Sequence, residues 1–130
     1  MDADGITGLV GLMRALKNEV ARLGIAISVV APGITVTPIL NAAVFTESPD
    51  ASARRMREAG VAVNDPEDIA NAVVYLLGEG MKANGKGLLI QAGRVVNVEA
   101  GLAKSRAIWM GNEQLNLFRG KGSRGSSGKL

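Results

Sequence analysis

The stretch Ile25-Ala26-Ile27-Ser28-Val29-Val30-Ala31-Pro32-Gly33-Ile34-Thr35-Val36-Thr37-Pro38 decides the fold. Ile25 to Val30 is apolar or small on both faces, the pattern of a central parallel strand covered by helices on either side. Pro32-Gly33 then turns the chain into a loop that carries two threonines. Ligands of open parallel sheets bind beyond the carboxyl ends of the strands, so Thr35 and Thr37 stand where a bound molecule is within reach. Upstream, Leu9, Leu12, Met13, Leu16 and Val20 recur at helical spacing and predict a helix from about Leu9 to Arg22. Leu23-Gly24 supplies its stop, and Gly8 and Gly11 leave room for another helix to approach. Helix, tight turn and buried strand make half of a βαβ unit.

Downstream, Thr46 to Pro49 reads as loop and Ala51 to Ala59 as a short helix through Ala53, Met56 and Ala59. Asp65-Pro66-Glu67-Asp68 is a strong helix start, with an Asp cap, Pro in the first turn and acids at the positive end of the dipole. The helix predicted there continues through Ile69, Val73, Leu76 and Leu77 to about Gly78. Asn84-Gly85 marks a turn and Gly87 to Gln91 a second strand. Ala100 to Ile108 is weakly helical, and order is expected to end soon after Trp109. Two strands and three or four helices do not complete a covered parallel sheet. A strand apolar on both faces therefore expects neighbours that these residues do not provide.

Composition sets firm exclusions. Of 130 residues, 47% are apolar and 3% aromatic, which is enough to bury one core. The chain has no cysteine and no histidine. Disulfides, thiolate metal sites, zinc sites of the usual ligand types and Ser-His or Cys-His catalysis are thereby excluded. The net charge of +3 is owed to Arg119, Lys121, Arg124 and Lys129. Without those four, acids outnumber bases. Residues 119–130 form a basic Gly/Ser-rich tail with too little apolar surface to fold and no interleaved aromatic to stack a base, so no nucleic-acid partner is expected. No apolar run reaches the ~20 residues that span a bilayer, and the start, Met1-Asp2-Ala3-Asp4, is acidic where a secretory leader is basic. A cytoplasmic protein without a membrane partner is expected.

The run Gly8-Leu9-Val10-Gly11-Leu12-Met13-Arg14-Ala15-Leu16, followed by the Pro32-Gly33 loop, resembles the short-chain dehydrogenase/reductase (SDR) family. Gly87-Leu88-Leu89-Ile90-Gln91-Ala92-Gly93 resembles that family's last strand and its Gly-ended turn. The residues through Trp109-Met110-Gly111 look like the prostaglandin-dehydrogenase-like subgroup common in fungi. The resemblance covers residues 8 to 111. It implies an α/β fold, a partial Rossmann-type doubly wound parallel sheet made of its last helix–strand units. Residues 1–7 are then an unrelated or degenerate start, 8–118 the carboxyl-terminal half of the domain, and 119–130 a disordered tail.

The resemblance also implies a chemistry and its limits. SDR enzymes carry Tyr-x-x-x-Lys at the start of the helix that continues as this glycine-leucine run, the tyrosine as general acid/base and the lysine ammonium lowering its pKa. In the register set by Gly8 to Leu16, those positions fall on Asp2 and Ile6, so no catalytic residue is assigned. The only tyrosine, Tyr75, has Glu79 rather than Lys four residues on and is assigned to packing. Pro32, Gly33, Thr35 and Thr37 are the implied cofactor-binding residues, for NAD or NADP, with Thr35 offering backbone groups and Thr37 its hydroxyl. Pro38 restricts Thr37 to an extended conformation. The family often has an acid or polar residue just before that threonine, and this chain has Val36. Ile39, Leu40, Ala43, Val44 and Phe45 fall on the substrate lid, an apolar wall suited to a hydrophobic alcohol or ketone, such as a secondary metabolite. No metal is implied. The expected function is that of a truncated NAD(P)-dependent oxidoreductase, inactive by itself. The alternative is a non-catalytic half-domain that pairs with itself, with a full-length relative or with an absent amino-terminal half.

Overall fold

The computed structural model describes residues 3–39 and 48–121, of which 3–7 as backbone alone. The chain divides into two compact units after Glu99. The first contains helix α1 (Ala3–Arg22), strand β1 (Val29–Pro32), helices α2 (Pro49–Glu58) and α3 (Pro66–Glu79), a 3-10 turn (Gly80–Ala83), and strands β2 (Gly87–Gln91) and β3 (Arg94–Asn97). Helix α4 (Val98–Lys104) leads into the second unit, which continues with α5 (Arg106–Met110) and α6 (Asn112–Phe118).

Helix α1 starts six residues before the expected Leu9 and stops where Leu23-Gly24 directs. Gly24 takes φ +72°, its amide donates to Ala21 and the Ile25 amide donates to Val20, each at 3.0 Å. This paired closure is the Schellman motif, which satisfies carbonyls that the helix end would orphan. At the start of α3, the Asp65 amide donates to the Asp68 carboxylate at 2.8 Å, half of a capping box with Pro66 behind the cap.

The sheet has the order β1-β2-β3. Strands β1 and β2 are parallel, with Val29 opposite Gly87 and Val30 opposite Leu88. Strand β3 runs antiparallel to β2 through a two-residue turn at Ala92 (φ +49°) and Gly93 (φ +70°). Positive φ at both positions gives the turn a twist that matches the strands it joins. This third strand is an addition to the two expected, and it makes the α/β sheet mixed at one edge.

Ala72, Leu88 and Ile90 form the core, with Val30, Ile69 and Leu76 packed on it. Ile69, Ala72 and Leu76 lie on one stripe of α3, so that helix covers the face shared by Val30, Leu88 and Ile90. Burying Leu88 and Ile90, at 2% and 0% exposure, contributes about 1.5–3 kcal/mol each. The opposite face is covered differently. Glu99 lies against Gly87, where a Cβ would meet its Cγ at 3.2 Å, and Arg14 of α1 grips the Glu99 carboxylate at 2.7 and 3.0 Å.

Two expectations are corrected. Ile25–Val30 is not a central strand buried on both sides. The strand begins only at Val29, and Val29, Val30 and Ala31 are half-buried. Among the described residues β1 is an edge strand, paired with β2 alone, because no strand occupies its other side. Residues 25–28 are held instead by the turn before β2. Asn84 Oδ1 accepts from the Ile27 amide at 3.0 Å, and the Ser28 hydroxyl donates to the Ala83 carbonyl at 2.7 Å. Order also continues past Trp109, through α6, where Leu115 is buried. In that second unit the Trp109 indole donates to the Leu102 carbonyl at 3.3 Å, and Arg106 lies over the Phe118 ring. Residues 122–130 of the basic tail lie outside the described residues.

Candidate functional site

The carboxyl ends of β1 and β2 carry the loop that the sequence singles out. Pro32 closes β1 and is exposed, while Gly33, Thr35 and Thr37 are half-buried. The Gly33 amide donates to the Ile90 carbonyl at 2.8 Å, which extends the parallel ladder one residue past the strand. A Cβ on Gly33 would stand 3.2 Å from that carbonyl oxygen and 3.3 Å from Gln91 Cγ. Close backbone approach is therefore what requires glycine here.

The loop then folds back on the residues before α3. Thr35 donates its hydroxyl to the Gly33 carbonyl at 3.0 Å and forms an isolated parallel bridge with Asn64. In that bridge the Asn64 amide donates to the Ile34 carbonyl at 2.7 Å, and the Val36 amide donates to the Asn64 carbonyl at 3.0 Å. Asn64 is fully buried. Its Nδ2 donates to the Ile90 carbonyl at 2.9 Å, and its Oδ1 accepts from the Gly93 amide at 3.1 Å. Pro32, Gly33, Thr35 and Thr37 thus share one braced loop beyond the ends of two parallel strands, the position at which such sheets take ligands.

Known proteins resemble this chain in sequence. The chain is 30% identical over 130 aligned residues to the short-chain dehydrogenase/reductase prx4 of Penicillium rubens, covering 87% of this chain and 37% of that protein. It is 38% identical over 89 residues to an acetoacetyl-CoA reductase of Acinetobacter sp., covering 66% of this chain and 34% of the relative. A 3-oxoacyl-acyl-carrier-protein reductase FabG of Aggregatibacter actinomycetemcomitans is 39% identical over 72 residues, or 55% of this chain and 28% of the relative. The chain is a relative of the short-chain dehydrogenases/reductases. It spans about a third of the length of the curated relatives it matches. No protein-family model and no solved structure matches it. The Penicillium relative agrees with the fungal subgroup read from the sequence.

The structure describes only some of the other positions that the resemblance singles out. Asp2 is outside the described residues, and Ile6 belongs to the first turns of α1. Of the lid positions, Ile39 is 81% exposed, and Leu40, Ala43, Val44 and Phe45 lie outside the described residues. Among the described residues there is no cluster of side chains able to hold a metal ion, and no helix is long and apolar enough to cross a membrane.

Tyr75 is not a packed core residue. It is half exposed, and its hydroxyl accepts from Lys86 Nζ at 3.0 Å. Lys86 also donates to Glu79 at 2.8 Å and lies 5.0 Å from the centre of the Tyr75 ring. The hydrogen bond to Glu79 is the main cause that raises the Lys86 pKa, and the hydrogen bond from Lys86 is the main cause that lowers that of Glu79. The helical apolar pattern around Tyr75 had concealed this polar cluster, because Lys86 stands eleven residues away across a turn.

Two open cavities flank α3. One, of about 500 Å3, is lined by Asn71, Tyr75, Leu88, Val95 and Asn97 among others. The other, of about 570 Å3, lies between Arg57, Gly60–Val63 and the Ala92–Gly93 turn. Thr35 and Thr37 line neither. Asn64 escaped the reading of the sequence because it lacks any periodic or motif signal. Its one trace there is its place beside the Asp65 helix cap.

Proposed function

We propose that these 130 residues are the carboxyl-terminal helix–strand units of an NAD(P)-dependent oxidoreductase sheet, in which the Pro32–Thr37 loop meets the nicotinamide end of the cofactor. The observation that supports this best is the braced loop at the carboxyl ends of β1 and β2, in a chain related to SDR proteins. Thr35 supplies backbone groups and Thr37 a hydroxyl to the carboxamide and nearby phosphates, and Gly33 lets the loop close against the end of β2. The bound dinucleotide supplies or accepts the hydride, and the reaction is the interconversion of a secondary alcohol and a ketone. The lid from Ile39 to Phe45 offers an apolar wall, which favours a hydrophobic substrate, such as a secondary metabolite. Cytoplasm is the compartment in which we place it.

The residues present set the limit of this activity. Tyr-x-x-x-Lys does not occur in the sequence, and no Gly-x-x-x-Gly-x-Gly links a strand to a helix. Residues 1–130 alone are therefore read as truncated and inactive. Calorimetric titration with NAD and NADP, with assays on model secondary alcohols, tests this. Binding weaker than the micromolar range and no turnover are expected. Micromolar binding or measurable turnover contradicts it.

One observation favours a second reading, an interaction half-domain. The outer edge of β1 has no partner strand among the described residues. On α1, Leu9 and Leu12 are more than half exposed, and a Cβ at Gly8 or Gly11 would meet nothing within 4 Å. An open strand edge beside an uncovered apolar helix face invites a second copy, an amino-terminal half or a full-length relative.

A further inference from the structure

We infer that Asn64 is the positioning residue of the Pro32–Thr37 loop, the group that fixes how far the two threonines stand above the ends of the strands. Four hydrogen bonds converge on it. Its backbone binds Ile34 and Val36 of the loop at 2.7 and 3.0 Å. Its side chain binds the end of β2 at Ile90 (2.9 Å) and the hairpin turn at Gly93 (3.1 Å). The loop has only one other hydrogen bond to the sheet among those described, from Gly33 to the same Ile90 carbonyl. That oxygen thus accepts two donors, its full capacity.

The chemistry of the amide is specific to this place. The site needs a donor toward Ile90 and an acceptor toward Gly93 from one short planar group, and asparagine offers both in one plane. Alanine would leave the Gly93 amide without its partner. Aspartate keeps the shape but offers a donor to Ile90 only when protonated. Asn64 has 0% exposure, so water does not substitute for either bond. Loop and hairpin are consequently one mechanical unit, although they are far apart in sequence. That the unit serves a dinucleotide rests on the reading above. The brace itself does not.

Hydrogen exchange on residues 1–130 tests the brace without any cofactor. In the unaltered protein, the Val36 and Gly93 amides should open together, with protection and denaturant dependence that coincide. Gly93 exchanging freely while Val36 stays protected overturns the assignment. Asn64→Ala should speed exchange at Gly33, Val36 and Gly93 by at least about tenfold while amides of α3 keep their protection, and unchanged exchange at those three also overturns it. If Asn64→Ala does not fold, Asn64→Asp decides. Its loop protection, compared with the unaltered protein at each pH, should return as pH falls and the new carboxyl takes up a proton. Charged groups beside this position are Asp68, which lies against Gly93, and the chain neighbour Asp65, paired with Arg57 at 2.8 Å, and all three are present in the reference. Protection that ignores pH contradicts the inference. A loop that shows the brace but does not respond to cofactor in a complete enzyme fails the dinucleotide reading alone.

Discussion

Single side chains join segments that are far apart in this sequence. Asn84 does at the strand entrance what Asn64 does at the exit. Its Nδ2 donates to the Lys17 carbonyl of α1 at 2.9 Å while its Oδ1 accepts from Ile27, so Asn84→Ala leaves the Ile27 amide without its acceptor and cuts the tie from this turn to α1. A loss of about 1–3 kcal/mol is expected in urea unfolding. The Arg14–Glu99 pair gives a pH signature. Its hydrogen bond to Arg14 is the main cause that lowers the Glu99 pKa below 4.5. A depressed carboxyl stabilises the fold fully above its unfolded pKa and loses that contribution as pH falls through the folded one. Stability measured from pH 7 down to pH 3 should therefore fall more steeply in the unaltered protein than in Glu99→Gln. Because Arg14 is about half exposed, the pair contributes no more than about 1 kcal/mol at pH 7.

At the scale of elements, the hairpin turn carries a local cost. Ala92 holds φ +49°, a conformation that costs an L-residue about 1–2 kcal/mol. Ala92→Gly should raise the unfolding midpoint, with a gain of up to about 1 kcal/mol after the added chain entropy is counted. How much could be read in advance follows from the range of each signal. Gly24, Asp65-Pro66 and Asn84-Gly85 act on neighbouring residues, and the end of α1, the start of α3 and the start of β2 lie where those residues put them. Strand β3 was legible in principle, because Ala92-Gly93 followed by Arg94-Val95-Val96 has the two-residue loop of a hairpin. It was hidden by the resemblance of the run to a final strand. The length of β1 was not legible. Ile25 to Ser28 has the composition of strand, but Asn84 and Ala83 take their hydrogen bonds. The candidate loop was visible as Pro32-Gly33 with two threonines, while its brace at Asn64 exists only through tertiary contacts.

For the whole molecule, the edge of β1 that has no partner strand among the described residues and the exposed Leu9 and Leu12 of α1 set the solution behaviour. Light scattering should show oligomers that grow with concentration, and a charge on that face, as in Leu12→Glu, should reduce them. A sharp monomer at all concentrations would refute the account of these surfaces. The functional claim is tested most directly by completing the crevice. An SDR amino-terminal half ending in Tyr-x-x-x-Lys is joined in frame at Gly8, and cofactor affinity and reduction of a hydrophobic ketone are measured with and without Thr37→Val. The expected result is detectable turnover, cofactor binding weakened by Thr37→Val by about 1 kcal/mol for one lost hydrogen bond, and turnover retained in Tyr75→Phe. A folded fusion in which Thr37→Val is silent and Tyr75→Phe abolishes turnover would contradict the assignment of this loop.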